Sequence, residues 1–331
     1  MKLTETHYKL IAKLADGQFY SGQQLADELN VSRTSIWNYL KTLEGTGLSL
    51  HAVKGKGTRL AVPIELLEAD KINVSLSSRS REVLSQLELL TSTDSTNHYL
   101  TQKNAQQRLA SGSVCVAENQ TAGRGRLGRT WVSPYGQNIY ISFLWNFKAG
   151  LSGLSGLSLA CGVAVCNALK SNGLTEHGLK WPNDILWERK KIGGILVEVQ
   201  GESQGDSTAV IGIGVNYKMS TEASGDIDQP WVDLNRALNG KVPSRNKVVG
   251  DLINEILPVL AVYEDTGLPP YVESWNKYDC HKNKKVNIIK AGKSSEFVAK
   301  GISASGELKL LNAQGGIEKI MSGEISLRMD D

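Results

Sequence analysis

Apolar positions near the start of the chain recur with helical spacing. Leu10, Ile11, Leu14 and Ala15 share one face, and Gly17 ends the run. Ser21-Gly-Gln-Gln24 has the form of a capping box and opens a second helix with Leu25 and Leu29 inward. After a break at Asn30-Val31, Ser32 caps a third helix whose stripe is Ile36, Leu40 and Leu43. The outer face of that helix carries Thr34, Asn38 and Lys41, with Arg33 near its start. Alternation then replaces the helical period. Leu48 to Val53 and Thr58 to Leu60 flank the turn Lys54-Gly-Lys-Gly57, which reads as a hairpin with cations at its tip. Two helices, a tight turn and a basic hairpin predict a winged helix-turn-helix. The alternative is a three-helix interaction domain with solvated charges.

Pro63 opens a linker. Residues 65–72 read as helix, and the Ser-rich stretch 73–81 has no clear period. Beyond it, strands and helices alternate. Ser113 to Glu118 reads as a strand, and Asn138 to Trp145 alternates with Ile139, Ile141, Phe143 and Trp145 on one face. Leu154 to Leu169 reads as a buried helix. Ile195 to Val199 and Ala209 to Val215 are apolar β runs joined by a hairpin at 201–207. The pattern predicts an α+β body, a mostly antiparallel sheet with helices on one face. Val249, Leu252, Ile253, Ile256, Leu257 and Leu260 mark an amphipathic helix that Pro258 should kink or end. Past Asn276, short strands at 285–289, 297–302, 307–311, 317–320 and 324–327 predict a small β-barrel. The expected division is 1–62, 63–275 and 276–331.

Composition sharpens this picture. The 331 residues are 40% hydrophobic and 21% charged, which excludes a disordered or collagen-like chain. The most apolar stretch, 151–169, is interrupted by glycines and serines, and the N-terminus lacks a signal-peptide core. A cytoplasmic protein with no membrane association is expected. Cys115, Cys161, Cys166 and Cys280 form no C-x-x-C pair, so structural thiols are expected. Residues 1–62 hold eight basic and five acidic side chains, a net +3, whereas the remaining 29 basic and 29 acidic cancel. A small basic module on a neutral body points to a polyanion. On this reading Ser32, Arg33, Thr34, Asn38 and Lys41 face DNA from the third helix, and Lys54 and Lys56 face it from the wing.

The chemistry centres on Gly123-Arg-Gly-Arg-Leu-Gly-Arg129. It contains a formal G-x-G-x-x-G, but the stretch from Arg129 to Gly136 is a poor helix start, so a dinucleotide loop is rejected. Glycines let backbone approach a ligand, and guanidiniums offer forked donors to carboxylate or phosphate. A flap over a small anion and a basic surface loop both fit. Thr93-Asp-Ser-Thr-Asn97 puts hydroxyls and an amide at a helix start, suited to a polar head group or to simple capping. Lys180-Trp-Pro-Asn-Asp184 and Lys191-Ile-Gly-Gly194 add polar residues to apolar strands.

These segments together resemble the family of bifunctional biotin–protein ligases that also repress the biotin operon. The carrying motifs are GRGRLGR at 123–129, STN at 95–97, KWPND at 180–184, KKIGG at 190–194, GVN at 214–216 and GEISLR at 323–328. The resemblance implies an SH3-like C-terminal barrel and a two-step reaction. Biotin and ATP, with Mg²⁺ at unassigned ligands, form biotinyl-5′-AMP. Biotin then passes to a lysine of the biotin carboxyl carrier protein of acetyl-CoA carboxylase. By resemblance, Lys191 and Arg126 are catalytic. Ser95, Thr96, Asn97, Gln120, Gly123, Arg124, Gly125, Arg126, Lys191 and Gly194 hold biotin. Trp131, Asn183, Asp184, Asn216 and Arg328 hold the nucleotide. The family also implies that biotinyl-5′-AMP is the co-repressor of a homodimer bound to operator DNA. Leu127 departs from the pattern, since an arginine is usual there.

Overall fold

The computed structural model describes residues 3–44, 46–148, 150–201, 205–225, 227–290 and 293–321, with 325–328 as backbone. The chain opens with helices α1 (Glu5–Leu14), α2 (Gly22–Leu29) and α3 (Arg33–Glu44), then strands β1 (Leu50–Val53) and β2 (Gly57–Leu60). The capping box is formed: the Gln24 amide donates to Ser21 Oγ at 3.2 Å, and the Ser21 amide donates to Gln24 Oε1 at 2.8 Å. Asn30 ends α2 in the left-handed region, and Ser32 Oγ accepts the Ser35 amide at 3.0 Å to start α3. Leu10, Ile11, Leu14, Leu25, Ile36 and Leu43 close one core. A Cβ on Gly57 (φ +107) would lie 2.1 Å from the Tyr20 carbonyl, so glycine lets the hairpin lie against the α1–α2 loop.

The next elements are α4 (Ala69–Val74), α5 (Ser78–Val83), β3 (Gln86–Leu90), α6 (Thr96–Gln107), β4 (Ser113–Ala117) and β5 (Asn138–Phe147). They are followed by α7 (Leu157–Ser171), β6 (His177–Lys180), β7 (Asp184–Trp187), β8 (Lys190–Gly201) and β9 (Ser207–Asn216). Then come α8 (Leu234–Ala237), α9 (Arg245–Thr266) and α10 (Pro269–Tyr278). The seven-stranded sheet has the order β3-β4-β5-β9-β8-β7-β6, and its neighbours are antiparallel except β3–β4.

Helices cover both faces of this sheet, where the pattern predicted one. Val114, Val116, Ile139, Ile141 and Phe143 pack with α7 and α9, whereas Cys115, Leu144 and Val210 pack with Leu100 of α6. The weakly apolar α6, in which Leu100 is the one fully buried apolar side chain, concealed the second layer. Residues 65–68 are not helical as expected. Their backbone amides bond to side chains of other elements: Leu67 donates to Glu118 Oε1 (2.6 Å) and Glu68 to Asn246 Oδ1 (2.8 Å). The unassigned stretch 73–81 holds the end of α4 and the start of α5.

Pro258 neither ends nor splits α9, because the apolar stripe continues beyond it in Val259, Leu260 and Tyr263, all buried. Helix α7 begins three residues later than expected, after Gly156 in the left-handed region. By length and composition the segment Leu151–Ser171 could cross a membrane, contrary to the sequence expectation. Most of it is buried within the fold against α9 and α10, as befits a core helix.

The C-terminal strands are β10 (Lys285–Lys290), β11 (Lys293–Ile302), β12 (Leu308–Leu311), β13 (Ile317–Ile320) and β14 (Ile325–Arg328). They form an antiparallel sheet ordered β13-β12-β11-β10-β14. Its inner residues Val286, Ile288, Ala299, Ile302, Leu308 and Leu310 join the same core as α7 and α9. The winged module is seated as well. Tyr135 of the central body is buried in the module's core and stacks on Tyr8 at 5.9 Å, and Gln137 Nε2 donates to the Gly47 carbonyl at 2.9 Å.

Candidate active site

The α6 side of the sheet is where the chemistry gathers. On β9, Ile211, Ile213 and Val215 face the large core, so Gly212 and Gly214 face the opposite way. Register places Ser142 opposite Gly212 and Tyr140 opposite Gly214 on β5, and Gly194 opposite Gly214 on β8. Glycines at alternate positions remove side chains from this face and open a cavity of about 340 Å³, a size suited to a small ligand. The space is already in use by flanking groups. A Cβ on Gly212 would sit 2.4 Å from Asn97 Oδ1, and one on Gly214 would sit 2.6 Å from Trp131 Cε2.

One end of the cavity is lined mainly by neutral polar side chains, with the Arg124–Glu198 ion pair (4.0 Å) at its edge. The Thr96 amide donates to Gln120 Oε1 at 2.9 Å. The Ser142 hydroxyl lies 2.6 Å from both Thr96 Oγ1 and Asn97 Oδ1, while Asn97 Nδ2 donates to Glu198 Oε2 at 2.7 Å. Ser95 occupies the N-cap position of α6 without a side-chain cap bond. These donors and acceptors, nearly all buried, suit a neutral amide-like head group.

The other end carries charge. Lys191 Nζ lies 2.7 Å from Asp184 Oδ1, both side chains are mostly buried, and the ammonium stands 5.4 Å from the Trp131 ring centroid. A bulge in the β7–β8 ladder is responsible. Asp184 pairs with Gly194 and Ile185 with Gly193, but Leu186 pairs with Lys191. The extra residue reverses the alternation, sending Ile192 into the core and Lys191 into the cavity. Asn216 spends its amide on the Lys191 and Val232 carbonyls (3.3 and 3.1 Å), bracing the strand that carries Lys191.

The Gly/Arg loop lies over this end as a small hairpin. Gly125 donates to the Arg129 carbonyl at 2.7 Å, and Trp131 donates to the Gly123 carbonyl at 2.9 Å. At its tip Leu127 (φ 55) and Gly128 (φ 73) are left-handed, and Leu127 is exposed. Arg126 turns inward and donates to Asn183 Oδ1 at 3.3 Å. Burial lowers its guanidinium pKa and nearby Asp184 opposes that shift; arginine remains a cation.

Ser95, Thr96, Asn97, Gln120, Arg124 and Gly125 thus line one cavity with Arg126, Trp131, Asn183, Asp184, Lys191 and Gly194. Gly123 contributes a backbone acceptor to the flap. Asn216 borders a smaller neighbouring pocket. The side chain of Arg328 and all of Glu324 lie outside the described residues. Sequence reasoning missed Tyr140, Ser142, Glu198 and Gly212. Alternating glycines in the run 210–215 were the available signal for the last. In the winged module, Arg33, Thr34, Asn38 and Lys41 are exposed on α3, as are Ser32 just before it and Lys54 and Lys56 at the hairpin tip. Trp37, also exposed there, was not foreseen.

A cavity with a mainly neutral polar end, a cationic end and a Gly/Arg flap, behind a winged helix, defines a class: DNA-binding ligases that activate a carboxylic acid. Comparison with known proteins agrees. Residues 89–216 match the biotin/lipoate A/B protein ligase family, 6–59 an HTH domain, and 281–328 the biotin protein ligase C-terminal domain. The "Bifunctional ligase/repressor BirA" of Salmonella typhimurium is 39% identical over 328 residues, 99% of each chain. That of Bacillus spizizenii is 32% identical over 320 residues, 95% of each chain. The solved "biotin protein ligase from Aquifex aeolicus in complex with biotin and ATP" is similar with a TM-score of 0.63 and 28% identity. It covers 75% of this chain and 100% of its own. The chain belongs to the family of bifunctional ligase/repressors.

Proposed function

We propose that this chain activates biotin with ATP and transfers it to the carrier protein, and that the activated intermediate makes it a repressor of biotin synthesis. In the first step a biotin carboxylate oxygen attacks the α-phosphorus of ATP. The bond to the β-phosphate oxygen breaks, pyrophosphate leaves and biotinyl-5′-AMP remains. In the second, the carrier's lysine amine attacks the acyl carbon, loses a proton and expels AMP.

Both steps need charge compensation, because the first joins two anions. Lys191 and Arg126 supply it in a largely buried setting where such charges act strongly. Asp184 holds the Lys191 ammonium at 2.7 Å, ready to be shared with the incoming carboxylate and phosphate. The biotin ring system fits the mainly neutral end, on Ser95, Thr96, Asn97 and Gln120. The Gly123–Gly125 backbone with Arg124 covers it, and Gly194 leaves room beside it. Trp131 stacks on adenine, whose amino edge bonds to Asn183. Asn216 and Arg328 complete the nucleotide contacts. Mg²⁺ enters with the triphosphate. Among the described residues no group of three or more His, Cys, Asp or Glu is placed to hold a metal.

The observation that carries this reading is the bulge that turns Lys191 into the cavity beneath Arg126. Its test is biotin-dependent exchange of labelled pyrophosphate into ATP. Exchange with biotin, none with lipoate, and a loss of about 10²–10³-fold in Lys191→Ala are expected. Exchange that ignores biotin would sink it.

The working division is a DNA-binding module at 1–62, a catalytic body at 63–275 and a C-terminal domain at 276–331. We place the protein in the cytoplasm, where its ATP and carrier are found. The biotinyl-5′-AMP form acts as a homodimer on operator DNA, with Arg33, Thr34, Asn38 and Lys41 of α3 toward base edges and the Lys54–Lys56 tip toward phosphates. The Ser32 hydroxyl is taken up by its cap (3.0 Å to the Ser35 amide), so its part is to start the helix that reads.

A further inference from the structure

Trp37 stands outside the apolar core of the winged module. It is 61% exposed, while Ile36 and Leu43 of the same helix are fully buried. Thr34, Asn38 and Lys41 are exposed too. Helical steps of about 100° place positions 34, 37, 38 and 41 within one arc of about 100°. The Lys41 ammonium lies 5.4 Å from the Trp37 ring centroid, a cation–π contact that holds the indole against the helix surface.

A lone exposed apolar side chain is common. Trp37 differs in its surroundings. It stands on the outward face of the second helix of a helix-turn-helix, in a module of net charge +3, with Lys54 and Lys56 exposed on the hairpin. Cations around an aromatic face fit a polyanion that also presents apolar groups. The major groove of DNA does this at one base only, since thymine alone carries a methyl group there.

We propose that Trp37 is a specificity-determining residue that packs its indole on a thymine 5-methyl in each operator half-site. Lys41, stacked on its other side, reaches the adjacent phosphate. This rests on the operator-binding reading above, which named polar and basic residues but no apolar reader.

The experiment uses the full chain with biotin and MgATP. Binding sites are first selected from a pool of random duplexes with the wild type. Affinity is then measured by fluorescence anisotropy on the winning duplex and on copies with uracil in place of each thymine. Losing one methyl contact should weaken wild-type binding about fourfold at one position per half-site. Trp37→Ala should bind the parent duplex about tenfold more weakly and show no uracil penalty at that position. Trp37→Phe, which keeps an aromatic face, should retain the penalty. Circular dichroism melts confirm that the variants are folded. The salt slope should not change in Trp37→Ala, because no phosphate contact is removed. An equal uracil penalty in wild type and Trp37→Ala, or none at any thymine in wild type, overturns the role of Trp37 alone. A wild type that selects no duplex overturns the operator reading and this inference with it.

Discussion

Single residues decide this site by what they leave out as much as by what they supply. Gly212 sits on the cavity floor, and a Cβ there would come 2.4 Å from Asn97 Oδ1. Asn97 cannot easily retreat, since Ser142 and Glu198 hold both ends of its amide. Gly212→Ala should therefore raise the KM for biotin at least about tenfold, with an overpacking cost of about 1–3 kcal/mol. Steady-state kinetics beside a urea melt checks this, and an unchanged KM would mean that the floor is not where biotin lies. Legibility at this scale was uneven. Arg126 could be read as a candidate from its loop motif, and Gln120 only through the family resemblance. Gly212 was hidden in an apolar run, because glycine at alternate positions looks like weak strand until the strand's two faces are known. The direction of the Lys191 side chain is misread from the sequence, because strict alternation points it into the core and only the bulge reverses it.

Among elements, the junction between α10 and β10 shows how burial sets a pH response. Asp279 and His281 are tied together, with the His281 amide donating to Asp279 Oδ1 at 2.8 Å, and Asp279 Oδ2 has no partner. Burial pushes Asp279 up from the usual 3.8 to about 6. Burial, with Lys180, Lys284 and Arg189 adding to it, pushes His281 down from 6.5 to about 4. The signs oppose. A raised carboxyl contributes stability that is present below 3.8 and lost as pH rises through about 6. A depressed imidazole contributes stability that is present above 6.5 and lost as pH falls through about 4. Between those limits the two largely offset. Asp279→Asn leaves only the histidine, so this variant should lose stability more steeply than the parent as pH falls from 6.5 to 4. Urea midpoints at both ends of the window test it, and parallel profiles would refute it. Strand β10 on one side of this junction was legible from alternation, whereas α10 on the other side was not read from the sequence. The boundaries that failed were those governed by partners distant in sequence. The amides of Leu67 and Glu68 leave the helical pattern for Glu118 and Asn246. Helix α9 runs through Pro258 because its buried stripe continues on both sides.

For the whole molecule, the two jobs meet along one short stretch of chain. Trp131 lines the cavity, and Tyr135, four residues on, is buried in the core of the winged module against Tyr8. We expect biotin with MgATP to promote dimerisation by about 1–3 kcal/mol, a typical coupling between linked sites. Sedimentation with and without the two substrates measures it, and a monomer in both would count against the switch. Leu127 stands exposed at the flap tip in the left-handed region. The local periods of the chain determined by themselves the winged module, the strand-rich end and the mostly antiparallel body between them. The loop and strand motifs, with the family resemblance, offered most of the cations and small residues from which the site is made. A period reports which side of an element is apolar, and a motif reports which chemistry is available. Neither reports which of two sheet faces meets which helix, nor where a bulge reverses alternation. Only the tertiary structure placed α6 opposite α7, cleared a cavity over the glycines of β9 and brought Lys191 up to Asp184 beneath Arg126. Those outcomes depend on contacts between segments far apart in sequence, which no local window contains.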